Sequence, residues 1–444
     1  MKKSYVVFAA LLPLWSGATL AQSTAYSLVE SKQLALQNNV KVRTSTLEIQ
    51  GAEAQQKKIR VANYPSVSAI AAGVYSPNDL VSITTPPMNL AVEGGAGGEA
   101  VVPSFTYSGI NTFATAAVTA TQPLYAGGQI RTGNKLAALQ VEVTKDQLTQ
   151  AQDEVTLTTE QKYYQIVALN EKLRTLAANE KLLKGIFKQV NDNYKSGLVV
   201  HNDVTKVQRQ LNQLALSEVE LNNARQLAVR DLCQYMGVPY DANFTVTDTN
   251  LTAQSPQSLY KEPTEAVKTR PEYQLLQRNT EAEKLQTRRA QGQYLPQVAV
   301  GASAYSSKVG DTDASGNGLF FGTVSIPISG RFEAKHSAAQ RQVREKITQS
   351  NARNSTELLE LQIQQRWLNL QAAYKRVQVT DEAVAQTNEN LIVNQDTYKN
   401  GLSTLNDLLE AQAQRQEAAD ERAEAYTAFQ VSQTAYKLAT GQRD

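Results

Sequence analysis

The chain of 444 residues contains one cysteine, two histidines and three methionines. A single thiol, Cys233, cannot close an internal disulfide, and its plain reading is a small core residue on a helix. With only His201 and His336 beside it, no metal or nucleophile constellation can be assembled. No Gly-x4-Gly-Lys-Ser/Thr phosphate loop occurs, so energy for any work must come from a partner. Enzymatic activity, a cofactor and a bound metal are therefore not expected. Lysine and arginine number 44 against 42 aspartates and glutamates, a balance that argues for no nucleic-acid partner. Long apolar runs are missing as well. Beyond residue 21 nothing approaches the roughly 18–20 residues of a spanning helix, so entry into a membrane would require β-strands.

The first residues carry a different signature. Lys2 and Lys3 precede an apolar run from Val6 to Trp15, and Thr19-Leu20-Ala21 supplies a small-residue cleavage site. Residues 1–21 read as a secretory signal peptide. No cysteine follows directly, which excludes a lipid on the new N-terminus. Two further stretches imitate ligand sites. Asp311-Thr-Asp313-Ala-Ser315-Gly316 resembles the start of a calcium loop, but its twelfth position, which should be an acid, is Gly322. A polar loop accounts for it better. Gly94–Gly98 lacks the strand–helix context of a nucleotide site.

Proline is also absent between Pro123 and Pro239 and after Pro327. Helix formers dominate both stretches, which predicts very long helices. Each contains the same turn. Tyr194-Lys-Ser-Gly197-Leu198, followed by Asn202-Asp203, returns as Tyr398-Lys-Asn-Gly401-Leu402 with Asn406-Asp407, an offset of 204 residues. Seven positions are identical between 194–208 and 398–412, where chance supplies about one. Pro123 and Pro327 share the offset, whereas Ser27-Leu28 and Pro65 match Ser258-Leu259 and Pro296 at 231. The first half therefore has a loop longer by 27 residues, around 77–111, with Pro- and Gly-rich linker chemistry. The expected organisation is an internal tandem repeat. Its first copy covers 22–237, a connector 238–262 with a short strand at Phe244-Thr-Val-Thr247, and its second copy 263–444. Each copy reads as helix, strand pair and long helical hairpin.

Period-two alternation predicts strands at 67–76, 112–123, 298–306 and 319–328. Segments of this length suit membrane strands, and a soluble half-buried hairpin would alternate in the same way. Four strands cannot close a barrel, since the smallest have about eight, so closure requires several subunits. In the second long helix Ile363, Leu370, Val377, Val384, Leu391 and Tyr398 lie seven apart. The first repeats the stripe with Ile166, Leu173, Phe187 and Tyr194, interrupted by Glu180. A strict seven-residue repeat marks a coiled-coil seam. Some 65 residues of helix at 1.5 Å each extend for roughly 100 Å.

Signal peptide, duplicated strand pairs, paired coiled coils and the Tyr-x-x-Gly-Leu-x4-Asp turns together resemble the TolC-type outer membrane efflux proteins. The strand-Pro segments Pro123-Leu-Tyr-Ala-Gly127 and Pro327-Ile-Ser-Gly330 add to the likeness, the second departing by one residue. The resemblance implies a mainly α chain with a membrane β-barrel part. Three copies would form a twelve-stranded barrel continued by an α-barrel in the periplasm, as an outer membrane exit duct of a tripartite efflux or secretion system. It implies a periplasmic adaptor docking at the tip turns (Tyr194, Gly197, Leu198, Tyr398, Gly401 and Leu402) and an inner membrane pump behind it. Asp203, Asp407 and Glu410 would line the periplasmic gate. Asp407 and Glu410, three apart, would stack two carboxylate rings in a trimer, favouring cations or an openable constriction. Helix capping by Asp203 and Asp407 is the plainer reading and is compatible with it. The family's basic residue two after the second turn's glycine is Ser403 here, which puts a latch there in doubt unless Lys399 or Lys195 substitutes. Two other readings remain: a periplasmic coiled-coil adaptor, and a structural or adhesin-like coiled coil without a conduit.

Overall fold

In the computed structural model residues 25–78, 82–86, 88–91, 99–102, 104, 106–108, 111–248, 252–310 and 313–443 are described. The signal-peptide segment 1–21, the run Glu93–Gly98 and Asp311 lie outside them. The chain begins with β1 (Ala25–Tyr26), α1 (Leu28–Asn38), α2 (Val40–Arg60) and β2 (Ser66–Tyr75). Four short strands follow, β3 (Ser82–Thr84), β4 (Met88–Ala91), β5 (Glu99–Val102) and β6 (Thr106–Ser108), then β7 (Thr112–Ala126). Next come α3 (Gln129–Lys195), α4 (His201–Met236), β8 (Thr245–Val246), α5 (Pro263–Ala266) and α6 (Pro271–Gly292). The last elements are β9 (Gln297–Val309), β10 (Ser315–Ser325), α7 (Gly330–Lys399) and α8 (Leu405–Ala439). The fold is mainly helical, with α3 running 67 residues and α7 running 70. Among the described residues no helix is long and apolar enough to cross a membrane. The chain divides into two compact units, one of residues 1–44, 149–270 and 359–444, the other of 45–148 and 271–358.

The second unit is built on an antiparallel sheet in the order β10-β9-β7-β2. Its register sets Val67 opposite Ala120, Ala120 opposite Ala302 and Ala302 opposite Phe320. Because directly opposed residues share a face, one face carries Val67, Ala69, Ala71, Ala116, Val118, Ala302, Ala304, Phe320 and Val324. The other is mixed: it carries Ser66, Ser68, Thr115, Thr119, Thr121, Ser303, Ser307 and Thr323 together with Ile70, Val74, Phe113, Tyr305, Leu319 and Phe321. Thr119 and Ser303 are hydrogen-bonded on that mixed face at 2.9 Å. On the apolar face Phe320 is 92% exposed and Val67 and Val324 are each 67% exposed. Every residue of β2 is exposed, and among the described strands β2 and β10 are the edges of the sheet.

The register also puts Ser66, Ala126, Gln297 and Ser325 at one end of the sheet. From that end the chain joins α2, α3, α6 and α7. The corner is tight: Gly127 has φ +59°, and a Cβ there would stand 2.0 Å from the Gly292 carbonyl oxygen. Beyond the opposite end, the 77–111 segment differs from the expected linker. It holds two antiparallel ladders, Ser82–Thr84 with Thr106–Ser108 and Met88–Ala91 with Glu99–Val102. The Pro-Pro and Gly-rich stretches signal turns, but the β-branched residues that flank them, Ile83 and Thr84 before and Val101 and Val102 after, favour paired strands.

In the first unit α1 starts on a capping box, Ser27 with Glu30. The connector is anchored by β8 pairing in parallel with β1 and by Phe244 stacked on Tyr26 at 5.3 Å. The Tyr163 hydroxyl donates to Asp248 at 2.9 Å; burial first, then the Asp248 carboxylate, pushes its pKa up to about 12. Cys233 is buried on α4, and burial raises its thiol pKa.

Side-chain contacts give the helix order α4-α3-α8-α7. Arg225 Nε donates to Asn170 Oδ1 at 2.8 Å between α4 and α3. Lys172 pairs with Glu424 at 2.5 Å between α3 and α8, and Arg422 with Asp381 at 2.5 Å between α8 and α7. In α7 the predicted stripe is inward: Ile363 and Leu370 are 0% exposed and Val377 is 2%. In α3 the predicted stripe begins buried, with Ile166 at 0%, but toward the turn the deeper seam is a second one, three residues along, with Leu176, Leu183 and Val190 at 3%, 0% and 0%. Leu173 and Phe187 of the predicted stripe are only half-buried. A coiled-coil seam uses two positions per heptad, and the polar Glu180 sits in the shallower row.

Candidate functional site: two glycine turns

Both long hairpins close by one geometry. Gly197 has φ +73° and Gly401 has φ +72°, a left-handed conformation that costs an L-residue. Gly197 N–H donates to the Tyr194 carbonyl at 2.9 Å and Leu198 N–H to that of Asn193 at 2.9 Å. At the second turn Gly401 donates to Tyr398 at 3.1 Å and Leu402 to Thr397 at 2.8 Å. This is the Schellman pair of bonds, which satisfies the last carbonyls of a helix. No heavy atom lies within 4 Å of a Cβ built on either glycine, so the requirement for glycine is conformational and not steric. Leu198 is 74% exposed and Leu402 is 79% exposed; neither packs inward in this chain.

One apolar cluster underlies both turns. Leu183, Ile186 and Val190 of α3 meet Val207 and Leu214 of α4, Leu391 of α7, and Leu405 and Leu408 of α8. Full burial of such a side chain stabilises by roughly 1.5–3 kcal/mol. Tyr398 packs against this cluster, and burial, then the charge of Asp203, pushes its phenol pKa up. Tyr194 is 41% exposed, with its ring edge-on to His201 at 5.3 Å. The tyrosines that match in sequence thus have different surroundings.

The three acidic positions also separate. Asp407 is not the cap residue but its partner: Thr404 caps α8, and its N–H and hydroxyl donate to Asp407 Oδ2 at 2.9 and 2.8 Å. Those bonds hold the Asp407 carboxyl below the usual aspartate range. Glu410 follows one turn later, exposed, accepting from Gln414 Nε2 at 3.2 Å. Asp203 occupies the matching place on α4, but the cap residue there is Val200, which has no side-chain acceptor. Asp203 instead pairs with Lys206 at 3.3 Å. Ser403 accepts from the Thr397 hydroxyl at 3.1 Å, and Lys399 pairs with Asp396 of its own helix at 3.7 Å. The capping role of Thr404 escaped the sequence reading, although Thr-x-x-Asp before an apolar run is its signal. Among the described residues no group of three His, Cys, Asp or Glu could hold a metal ion.

Residues 32–238 match the profile of a family described as outer membrane efflux protein. The chain is similar to the outer membrane efflux proteins. The likeness extends in structure to nearly all of it. VceC, an outer membrane protein of Vibrio cholerae, superposes with a TM-score of 0.73 at 16% identity, covering 93% of this chain and 96% of its own. The CmeC outer membrane channel of Campylobacter jejuni gives 0.73 at 15% identity over 94% and 87%. The open-state MtrE outer membrane channel of Neisseria gonorrhoeae gives 0.71 at 15% over 93% and 88%. At such identities the superpositions establish the fold, which this chain shares with those outer membrane proteins. No curated protein matches it by sequence.

Proposed function

We propose that the chain is one subunit of a trimeric exit duct in the outer membrane, a passive conduit for cargo delivered by an inner membrane pump through a periplasmic adaptor. The observation that carries this reading is the four-stranded sheet. It has one exposed face made mainly of apolar residues and suited to lipid, an opposite face that carries most of its serine and threonine hydroxyls among apolar side chains, and two edges that no other described strand pairs. An open, exposed edge is normally covered or blunted, and a strand in lipid needs every backbone group satisfied. Three copies joined edge to edge give a closed barrel of twelve strands, within the size range of membrane barrels. Of the four helices, α4 and α7 are outermost, and both keep apolar residues exposed, Leu216 and Leu227 on one and Leu361 and Leu368 on the other. Neighbouring subunits would cover them. The outer membrane location agrees with the family match over 32–238.

Within this reading the duplicated halves, 22–237 and 263–444 about the connector 238–262, place two equivalent turns at one periplasmic tip. Leu198 and Leu402 are the apolar knobs offered to the adaptor, with Tyr194, Gly197, Tyr398 and Gly401 holding the turns that present them. Asp203, Asp407 and Glu410 would face the entrance, where carboxylates from three subunits repel and favour cations or an openable constriction. Ser403 stands where the family has a basic residue, so a latch at that point would fall to Lys399 or Lys195. A photo-crosslinking residue at Leu402 in the native host tests the assignment. Capture of a periplasmic adaptor supports it, and the associated pump would name the substrate class. Capture of nothing, with the protein absent from the outer membrane fraction, contradicts it and favours a coiled coil without a conduit.

A further inference from the structure

The overall charge balance conceals a strong local one in the second unit. At the sheet end where the helices attach, residues 57–65, 127–137, 286–296 and 327–337 contain nine Lys or Arg and one acid, Glu333. Beyond the other end, the described residues within 76–111 and 309–314 include two acids, Glu99 and Asp313, and no basic residue, Lys308 inside β9 being the nearest cation in sequence. Lys57, Lys58 and Arg60 end α2, and Arg288 and Arg289 end α6; all five are exposed. Among the described residues none of the five takes part in an ion pair, whereas Arg278 and Arg341, farther along the helices, pair with Asp146 and Glu283. Cations in the last turn complement a helix dipole, but that worth of a few tenths of a kcal/mol does not explain a cluster contributed by four separate elements.

The same corner exposes large apolar side chains. Tyr64 is 66% exposed, Leu124 63%, Ile328 75% and Phe332 83%. They adjoin the apolar sheet face directly in sequence. Apolar strand face, then aromatic and aliphatic side chains, then unpaired cations is the succession met on passing from hydrocarbon through the interface to headgroup phosphates.

We infer that this strand–helix corner binds the headgroups of anionic glycerophospholipids in the leaflet on the helix side of the sheet. The inference rests on the outer membrane reading and goes beyond it by naming a lipid class and the residues that select it. Juxtamembrane cations attract anionic lipid with an energy that falls off within a Debye length, so the preference is salt-sensitive. The acidic opposite end makes the selection one-sided.

The test uses the full chain reconstituted into phosphatidylethanolamine bilayers with and without a minority of phosphatidylglycerol. Lipid held through detergent exchange is then quantified by mass spectrometry. The wild type should retain phosphatidylglycerol well above its bulk share and lose the excess in high salt. Replacing Lys57, Lys58, Arg60, Arg288 and Arg289 together by serine should lower that excess on the order of tenfold while insertion persists. Exchanging lysine for arginine and arginine for lysine at the same five positions should preserve it. A wild type that inserts but holds phosphatidylglycerol only at its bulk share overturns the lipid inference and leaves the duct intact. A wild type that inserts into neither bilayer overturns the duct, and the inference with it.

Discussion

The two glycine turns end their helices alike and begin the next ones differently. Tyr194–Leu198 and Tyr398–Leu402 share the Schellman bonds, the positive φ and the exposed leucine. After the first, α4 starts at Val200 with no side-chain cap and a salt bridge from Asp203 to Lys206. After the second, α8 starts at Thr404 in a capping box with Asp407. Equal turn closure with unequal helix starts teaches that sequence identity at Asp203 and Asp407 preserves position but not local duty. The neighbour three residues earlier decides whether the carboxylate caps a helix or pairs with a lysine.

The largest expected effect removes what the turns share. Leu183→Ala or Leu408→Ala should destabilise by about 2–5 kcal/mol and lower hydrogen-exchange protection in both hairpins. Loss confined to one hairpin would show that the cluster is not a common core. Gly197→Ala and Gly401→Ala should each cost about 1–2 kcal/mol, equally, because both sites are sterically open. Chemical denaturation of the variants checks this, and a marked inequality would reveal a contact that the geometry lacks.

Smaller effects probe the difference. Thr404→Ala should destabilise the start of α8 by about 1 kcal/mol without altering exchange at the start of α4. Val200→Thr should do the reverse, protecting the α4 start and drawing Asp203 from Lys206. The smallest effect is that of pH. Asp407 has a folded pKa below its unfolded value near 3.9, so its contribution is complete above that value. It is lost as pH falls through the folded one. Amide exchange in the first turn of α8 should rise in that acidic window, and Thr404→Ala should abolish the dependence.

Much of the fold was legible because local rules and tertiary demands agree. Strands expected at 67–76, 112–123, 298–306 and 319–328 stand beside observed ones at Ser66–Tyr75, Thr112–Ala126, Gln297–Val309 and Ser315–Ser325. The positive φ of Gly197 and Gly401 follows from the turn they must make. Other features were hidden for physical reasons. The ladders within 77–111 are too short for periodicity to register. The Leu176–Leu183–Val190 row was overlooked because the stripe was projected from α7, whereas burial in α3 favours the other heptad position. The different surroundings of Tyr194 and Tyr398 depend on contacts between helices that no spacing reports. Which sheet face is apolar required the register of all four strands, since Ala, Gly, Ser and Thr alternate too gently within any one of them.

The central claim is that the chain completes its sheet only by joining copies of itself in the outer membrane. Native mass determination of the species extracted from that membrane in detergent tests it most directly. The account predicts three chains, supplying twelve strands. A monomer, or recovery only in the soluble periplasmic fraction, would contradict it.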